Sequence, residues 1–237
     1  IDTSKKISNT GGRNATAYSY IEKARYAVGL YLNRHHINCV AVDLSGNVIS
    51  LIRVRENFDL NDDNYLRKIG ETVEEVKKDT GLPDDRFLGV GIAVQGLISD
   101  DGERVTYGLT LNFTGVTRAD IAKYIPYHNR LFHDSAAAGY AEVWDRNDLD
   151  DAFYLSLSNS VGGAVIVANK IFEGERRKSG EIGHMTIIPK AGDRCYCGQR
   201  GCFDTVCRAN VLAEYADAVL LTVRQDYART ADINDAI

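Results

Sequence analysis

No run of about 18 apolar residues occurs in this sequence, which excludes a membrane-spanning helix. The start, IDTSKKISNT, lacks the apolar core of a secretory signal. Excess positive charge is missing as well. The 28 Lys and Arg residues are outnumbered by 33 Asp and Glu, and the net charge of −5 gives this piece no general attraction to nucleic acid phosphates. A composition of 44% hydrophobic and 26% charged residues excludes collagen-like and wholly disordered chains. Cysteine is sparse, five in 237 residues, yet four of them fall between positions 195 and 207. In a chain without a secretory signal, that crowding points to a metal site in a reducing cytoplasm rather than a disulfide framework.

A length of 237 residues suits one large domain or two small ones. Residues 1–24 are polar, carry Gly11-Gly12 and show no period, so they read as a linker or arm. Strands are expected at Tyr26–Leu32, Ile37–Leu44 and Val48–Arg55, the last two joined by the turn Ser45-Gly46-Asn47. Leu66, Ile69, Val73 and Val76 recur at helical spacing, and Gly81 and Pro83 end that helix. A buried strand is predicted at Leu88–Val94, a loop from Gly96 to Gly108, a short helix at Arg118–Tyr124 and a strand at Arg130–His133. An Ala-rich helix then covers Ser135–Trp144. The order then recurs, with strands at Ala152–Leu157 and Gly163–Asn169 and a third beginning at Lys170–Glu173. A final helix at Val211–Arg224 shows an apolar face of Leu212, Tyr215, Val219 and Val223. Two βββα units with a cleft between them would suit a ligand-binding hinge protein, divided as an N-terminal α/β domain at 25–118 and a C-terminal one at 119–237.

The most specific pattern is His184 followed by Cys195, Cys197 and Cys202. Structural zinc takes four ligands, usually Cys sulfur and His nitrogen, in a closed tetrahedron. Gly198 and Gly201 lie between the sulfurs, where a tight knuckle needs backbone angles that larger residues resist. Asp193, Arg194 and Arg200 would be solvated around it. The alternatives are unrelated buried thiols or a Cys195–Cys202 disulfide. No fourth position is open to water, so the zinc would be structural rather than catalytic. Cys207 is a spare thiol, and Cys39 fills the core of a strand.

The run GEIGHMTI at 180–187, followed by CYCGQRGC at 195–202, resembles the signature of the ROK family, bacterial sugar kinases and sugar-responsive repressors of the NagC, Mlc and XylR type. Further segments match in the family's order: Val90–Gly96 its glycine strand and loop, Asn112 its sugar-touching Asn, Asp134 its catalytic base, and Val161–Ala164 its second phosphate loop. The resemblance implies an α/β, two-domain actin-like (ribonuclease H-like) fold, a sugar bound in the interdomain cleft, and cytoplasmic dimers or tetramers. ROK kinases open with a strand ending in D-x-G-G-T-K, whose backbone holds ATP phosphates. Here that place reads Gly29–His36, with no paired glycine and with bulky side chains in the turn. The second phosphate loop, commonly G-T-G-x-G-G-G, is Ser158–Ala164, with three of its small or hydroxyl positions changed. The nucleotide site is therefore expected to be degenerate. Asn9-Thr10-Gly11-Gly12-Arg13 resembles the linker that joins the winged-helix DNA-binding domain of ROK repressors to their sugar domain, although a generic Gly-rich arm reads the same way.

The resemblance thus implies the effector-binding and oligomerisation domain of a ROK-type regulator, with a sugar kinase using Asp134 as the alternative. DNA would be reached only through a winged helix upstream of Ile1. Because the chain starts without Met and ROK chains continue with further helices, truncation at both ends is expected. The ligand-binding set is Gly96, Asn112, His133, Asp134, Glu181 and His184. Sugar hydroxyls both give and take hydrogen bonds, which suits the Asn112 amide and the Glu181 and Asp134 carboxylates. Glu181 as a plain loop carboxylate and Asn112 as a turn former are the alternatives. His133 stands where the family usually has Asn, which changes the hydrogen-bond pattern offered there. Asp204 stands where a Glu often follows the last zinc Cys.

Overall fold

The computed structural model describes residues 2–3, 6–7, 15–16, 18–146 and 150–227. Two compact units divide the chain, residues 1–137 and 138–237. In the polar start, β1 (Lys6–Ile7) pairs antiparallel with β2 (Ala15–Thr16), and Asp2 bridges Ser19. The Asn9–Arg13 run lies outside the described residues.

The first unit is built on the expected meander of β3 (Tyr26–Leu32), β4 (His36–Asp43) and β5 (Val48–Arg55). Its second turn closes because the Asp43 carboxylate accepts the Ser45 and Asn47 N–H groups at 2.9 and 3.0 Å. Helix α1 (Asp63–Asp79) starts where the Asp62 side chain accepts the Asn64 N–H, filling one of the orphan donors of a helix start. Its apolar stripe, Leu66, Ile69, Val73 and Val76, is buried with Val28, Leu30, Ile37 and Cys39. Each such side chain contributes about 1.5–3 kcal/mol through burial. Burial pushes the Cys39 thiol up to about 12, as suits a packing residue.

Strand β6 (Phe87–Val94) follows. The segment expected as a loop between Gly96 and Gly108 instead folds back as a hairpin, β7 (Leu97–Ile98) with β8 (Val105–Tyr107). Strands this short have no period to read, and the close approach depends on Gly96, where a Cβ would sit 2.8 Å from the Tyr107 carbonyl. Helix α2 (Arg118–Ile121) ends before the expected Tyr124; its start is a reciprocal Thr117–Asp120 cap. Next come β9 (Asn129–His133) and α3 (Asp134–Asp145).

The sheet order is β5-β4-β3-β6-β9, with β6 and β9 parallel to β3. Because β9 pairs with β6, residues 129–133 belong to the first unit's sheet, and the division between units falls at 137/138; the sequence expectation set it at 118/119. Register aligns Leu32, Val94 and His133, so the Asn33 turn, Gln95-Gly96 and Asp134 all follow carboxyl ends of parallel strands. Open α/β sheets bind ligands at that edge.

The second unit opens with another antiparallel meander, β10 (Ala152–Leu157), β11 (Val161–Val167) and β12 (Lys170–Ile171). A 3-10 turn at Ile182–His184, α4 (Asp204–Cys207) and α5 (Ala209–Tyr227) complete it. The periodic face of α5 forms as expected but is not buried: Leu212, Tyr215 and Val219 are exposed, and the Val223 side chain lies outside the description. Among the described residues, no helix is long and apolar enough to cross a membrane.

Candidate metal knuckle and effector site

The loop that carries Glu181 and His184 lies against β11 at backbone contact. A Cβ on Gly180 would strike the Gly163 carbonyl, and one on Gly183 the Val161 carbonyl, so side chains cannot occupy either position. From there the chain runs into the knuckle, where Gly198 and Gly201 take the left-handed φ values of 95° and 71° that the sequence calls for. Thr186 bridges Cys202, and the Phe203 N–H donates to the Met185 carbonyl at 2.9 Å, tying the knuckle back to the His184 loop.

His184, Cys195, Cys197 and Cys202 offer four donor atoms that all lie within 4.8 Å of one another. Cys197 Sγ is 3.7 Å from Cys202 Sγ, and Cys195 Sγ is 3.6 Å from His184 Nδ1. A tetrahedron with metal–sulfur bonds of about 2.3 Å and metal–nitrogen bonds of about 2.1 Å has edges of roughly 3.8 and 3.6 Å. The donor set therefore fits a tetrahedral divalent metal. None of the cysteines is disulfide-bonded, which removes the Cys195–Cys202 alternative. Burial pushes the Cys195 thiol up to about 12 and Cys202 in the same direction, so a cation is what would turn them into thiolates. With Nδ1 turned to the sulfurs, His184 Nε2 faces Glu181 Oε2 at 3.6 Å, the carboxylate that would orient a ligating imidazole.

Asp204 emerges from the structure with a part that sequence reasoning did not foresee. Fully buried, it accepts the Val161 N–H at 2.7 Å and so links the knuckle to the β10–β11 turn. The Ala209 N–H donates to the Ser158 carbonyl at 2.7 Å, and Ser158 donates to Ser160 O through its hydroxyl at 3.1 Å. In this turn, matched to the family's second phosphate loop, Ser158 and Val161 are thus bonded to protein partners.

The first unit's turn is closed in the same way. Asn33 Oδ1 accepts the His35 and His36 N–H groups at 3.0 and 2.9 Å, and the Asn33 N–H donates to His36 O at 3.1 Å. Three of the turn's amides, those of Asn33, His35 and His36, are thus bonded within it.

Of the remaining sequence-selected residues, Asp134 is the first residue of α3. Its Oδ1 accepts the Ser135 N–H at 2.7 Å, with His133 Nε2 3.7 Å away. Burial raises its carboxyl above the usual range, opposed by His133 and the Ser135 bonds. His133 Nδ1 accepts the Ala136 N–H at 3.4 Å. Asn112 is exposed in a loop after β8 with φ of 56°, a conformation Asn tolerates, so its backbone forms a turn while its amide faces outward. The Gly96 N–H is donated to the Val94 carbonyl at 3.0 Å.

The α/β fold, a mixed sheet with flanking helices, is the actin-like one of solved sugar kinases and regulators. A ROK family glucokinase from Streptomyces griseus, in complex with glucose and AMPPNP, superposes with a TM-score of 0.70 at 20% identity, over 86% of this chain and 64% of that one. A ROK family transcriptional regulator, homologue of the E. coli MLC protein, gives 0.67 at 21% identity, over 84% of this chain and 50% of that one. Residues 27–235 match the ROK family, and the chain belongs to it. The Xylose repressor of Bacillus subtilis is 26% identical over 243 residues, covering 96% of this chain and 59% of that protein. The chain thus spans less than two thirds of the length of such curated relatives, and its family neighbours include both repressors and kinases.

Proposed function

We propose that this chain is the effector-binding and oligomerisation domain of a ROK-type transcriptional regulator, responding to a sugar or sugar phosphate. The observation that carries this reading is the Asn33–His36 turn, whose His35 and His36 amides are bonded to Asn33 and whose side chains are bulky where a ROK kinase has paired glycines. The hydrogen bond that closes the Ser158–Ser160 turn on itself supports it, as do the repressors among the relatives. Gly96, Asn112, His133, Asp134, Glu181 and His184 are the proposed ligand-binding residues. His184, Cys195, Cys197 and Cys202 hold a structural Zn2+ that fixes the Glu181–His184 loop. The protein works in the cytoplasm as a homodimer or homotetramer and meets DNA through an upstream winged helix. A sugar that favours one conformational state changes operator affinity; typical couplings of about 1–3 kcal/mol correspond to roughly 5–150-fold.

One observation favours the kinase reading. The half-buried Asp134, with its carboxyl raised by desolvation, is suited to accept a proton from a sugar hydroxyl. Two measurements on one preparation separate the readings: thermal shift across D-glucose, D-xylose, N-acetylglucosamine and the 6-phosphates of the two hexoses, and phosphoryl transfer from Mg-ATP to the unphosphorylated three. A regulator domain shows a stabilising sugar and no turnover, because a ligand of the native state must raise its stability. Turnover that disappears in Asp134→Asn would replace the regulator by the kinase.

A further inference from the structure

We propose that Arg34 is a positioning residue for effector binding, holding the Asn112 loop in place from the turn that a kinase would use for nucleotide. This rests on reading Asn112 as a sugar-binding residue. Arg34 Nη2 donates to the Thr110 carbonyl at 2.7 Å, across 76 residues of sequence. Thr110 lies two residues before Asn112, inside a compact loop. The Phe113 N–H closes that loop onto Gly108 O at 2.9 Å, and the Gly108 N–H onto Thr114 Oγ1 at 2.9 Å.

A second tie runs from the same residue. The Arg34 carbonyl accepts the Phe58 N–H at 3.1 Å, and the Phe58 ring meets the Phe113 ring edge-on at 5.2 Å between centroids. Arg34 therefore grips the loop twice, by its guanidinium directly and by its carbonyl through a ring packed beside Asn112. Asn33, by capping the His35 and His36 N–H groups, fixes the backbone from which Arg34 projects. The donor in this bond is a charged guanidinium, which makes it stronger than a bond between neutral groups.

An exposed guanidinium–carbonyl bond adds little to global stability, but ordering a binding loop before the ligand arrives removes a cost from binding. Arg34→Ala is expected to weaken the best sugar of the thermal-shift panel about tenfold by calorimetry, with the melting temperature almost unchanged. Arg34→Lys, which keeps a donor, restores most of the affinity. In an Asn112→Ala background the Arg34→Ala change has no further effect, since both act through one contact. Unchanged affinity in Arg34→Ala, or fully additive losses in the double variant, overturns the proposal. If no sugar in the panel binds the native chain, the regulator reading fails instead. Arg34 is then judged by hydrogen exchange: the Asn112 and Phe113 amides must exchange faster in Arg34→Ala while those of β3 and β4 do not change, and equal exchange overturns it.

Discussion

The two three-stranded meanders are alike in element order and differ in what holds them. β3–β5 is sealed by α1, whose Ile69 and Val76 are fully buried, and the sheet is widened by β6 and β9. β10–β12 leaves Phe153, Leu155 and Leu157 exposed along one face of β10, and the apolar stripe of α5 is exposed too. What the second meander has beside a smaller set of buried apolar side chains, Val161, Ala164, Ile166 and Ile182, is close backbone contact, at Gly163, Gly180 and Gly183, and a knuckle of four side chains that could hold a metal ion, tied to it through Thr186 and Asp204. The first unit is held by the larger apolar core; on the zinc reading the second leans also on a cation.

The sharpest way to test that contrast is to deny the knuckle the zinc proposed for it. Structural zinc contributes about 10 kcal/mol or more to small metal-folded domains, as much as the whole stability of many domains. Chelation, or Cys202→Ser, is therefore expected to abolish protection from hydrogen exchange in residues 152–167 while leaving β3, β4 and α1 protected. Equal loss in both units would break the comparison. The converse change is Ile69→Ala, which leaves a cavity in the first core and should cost about 2–5 kcal/mol in urea unfolding of that unit. The second unit should keep its exchange pattern.

A smaller effect is expected where the knuckle meets its meander. Asp204→Ala removes the acceptor of the Val161 N–H in a fully buried setting, at a cost of about 1–3 kcal/mol. Asp204→Asn keeps an oxygen there and should cost less. If both variants unfold like the native chain, Asp204 does not link the two elements.

How much of this was legible follows the range of the interaction. α1 was readable because Leu66, Ile69, Val73 and Val76 mark one face within a single helix, and the knuckle because an imidazole and three thiols fall within 19 positions, with Gly198 and Gly201 between the sulfurs. The α5 stripe was equally periodic, yet periodicity reports a face and not what covers it, and that face is exposed. β7 and β8 escaped because two- and three-residue strands are too short to alternate. Arg34 and Asp204 escaped for a different reason: their partners, Thr110 O and Val161 N, are backbone atoms 76 and 43 residues away and leave no mark on residue type. The Asn33 cap was within reach, since Asn at a turn commonly accepts the N–H two residues on.

The smallest effect concerns Asp134, and its sign is informative. Burial raises this carboxyl in the folded chain, so between its unfolded and folded values the native state binds more protons than the unfolded one. Stability linked to this group accordingly falls as pH rises through that window. Asp134→Asn removes the charge at nearly constant shape, so it should raise the melting temperature at neutral pH and lose that advantage in acid, once the carboxyl is protonated. Its Oδ1 already serves the start of α3 by accepting the Ser135 N–H, and under the effector reading the same carboxylate would also accept a sugar hydroxyl. The same variant should then bind the panel's best sugar more weakly while being the more stable protein. A variant destabilised at pH 7, or one that binds as the native chain does, would place Asp134 with the structural carboxylates such as Asp43 and remove it from the effector site.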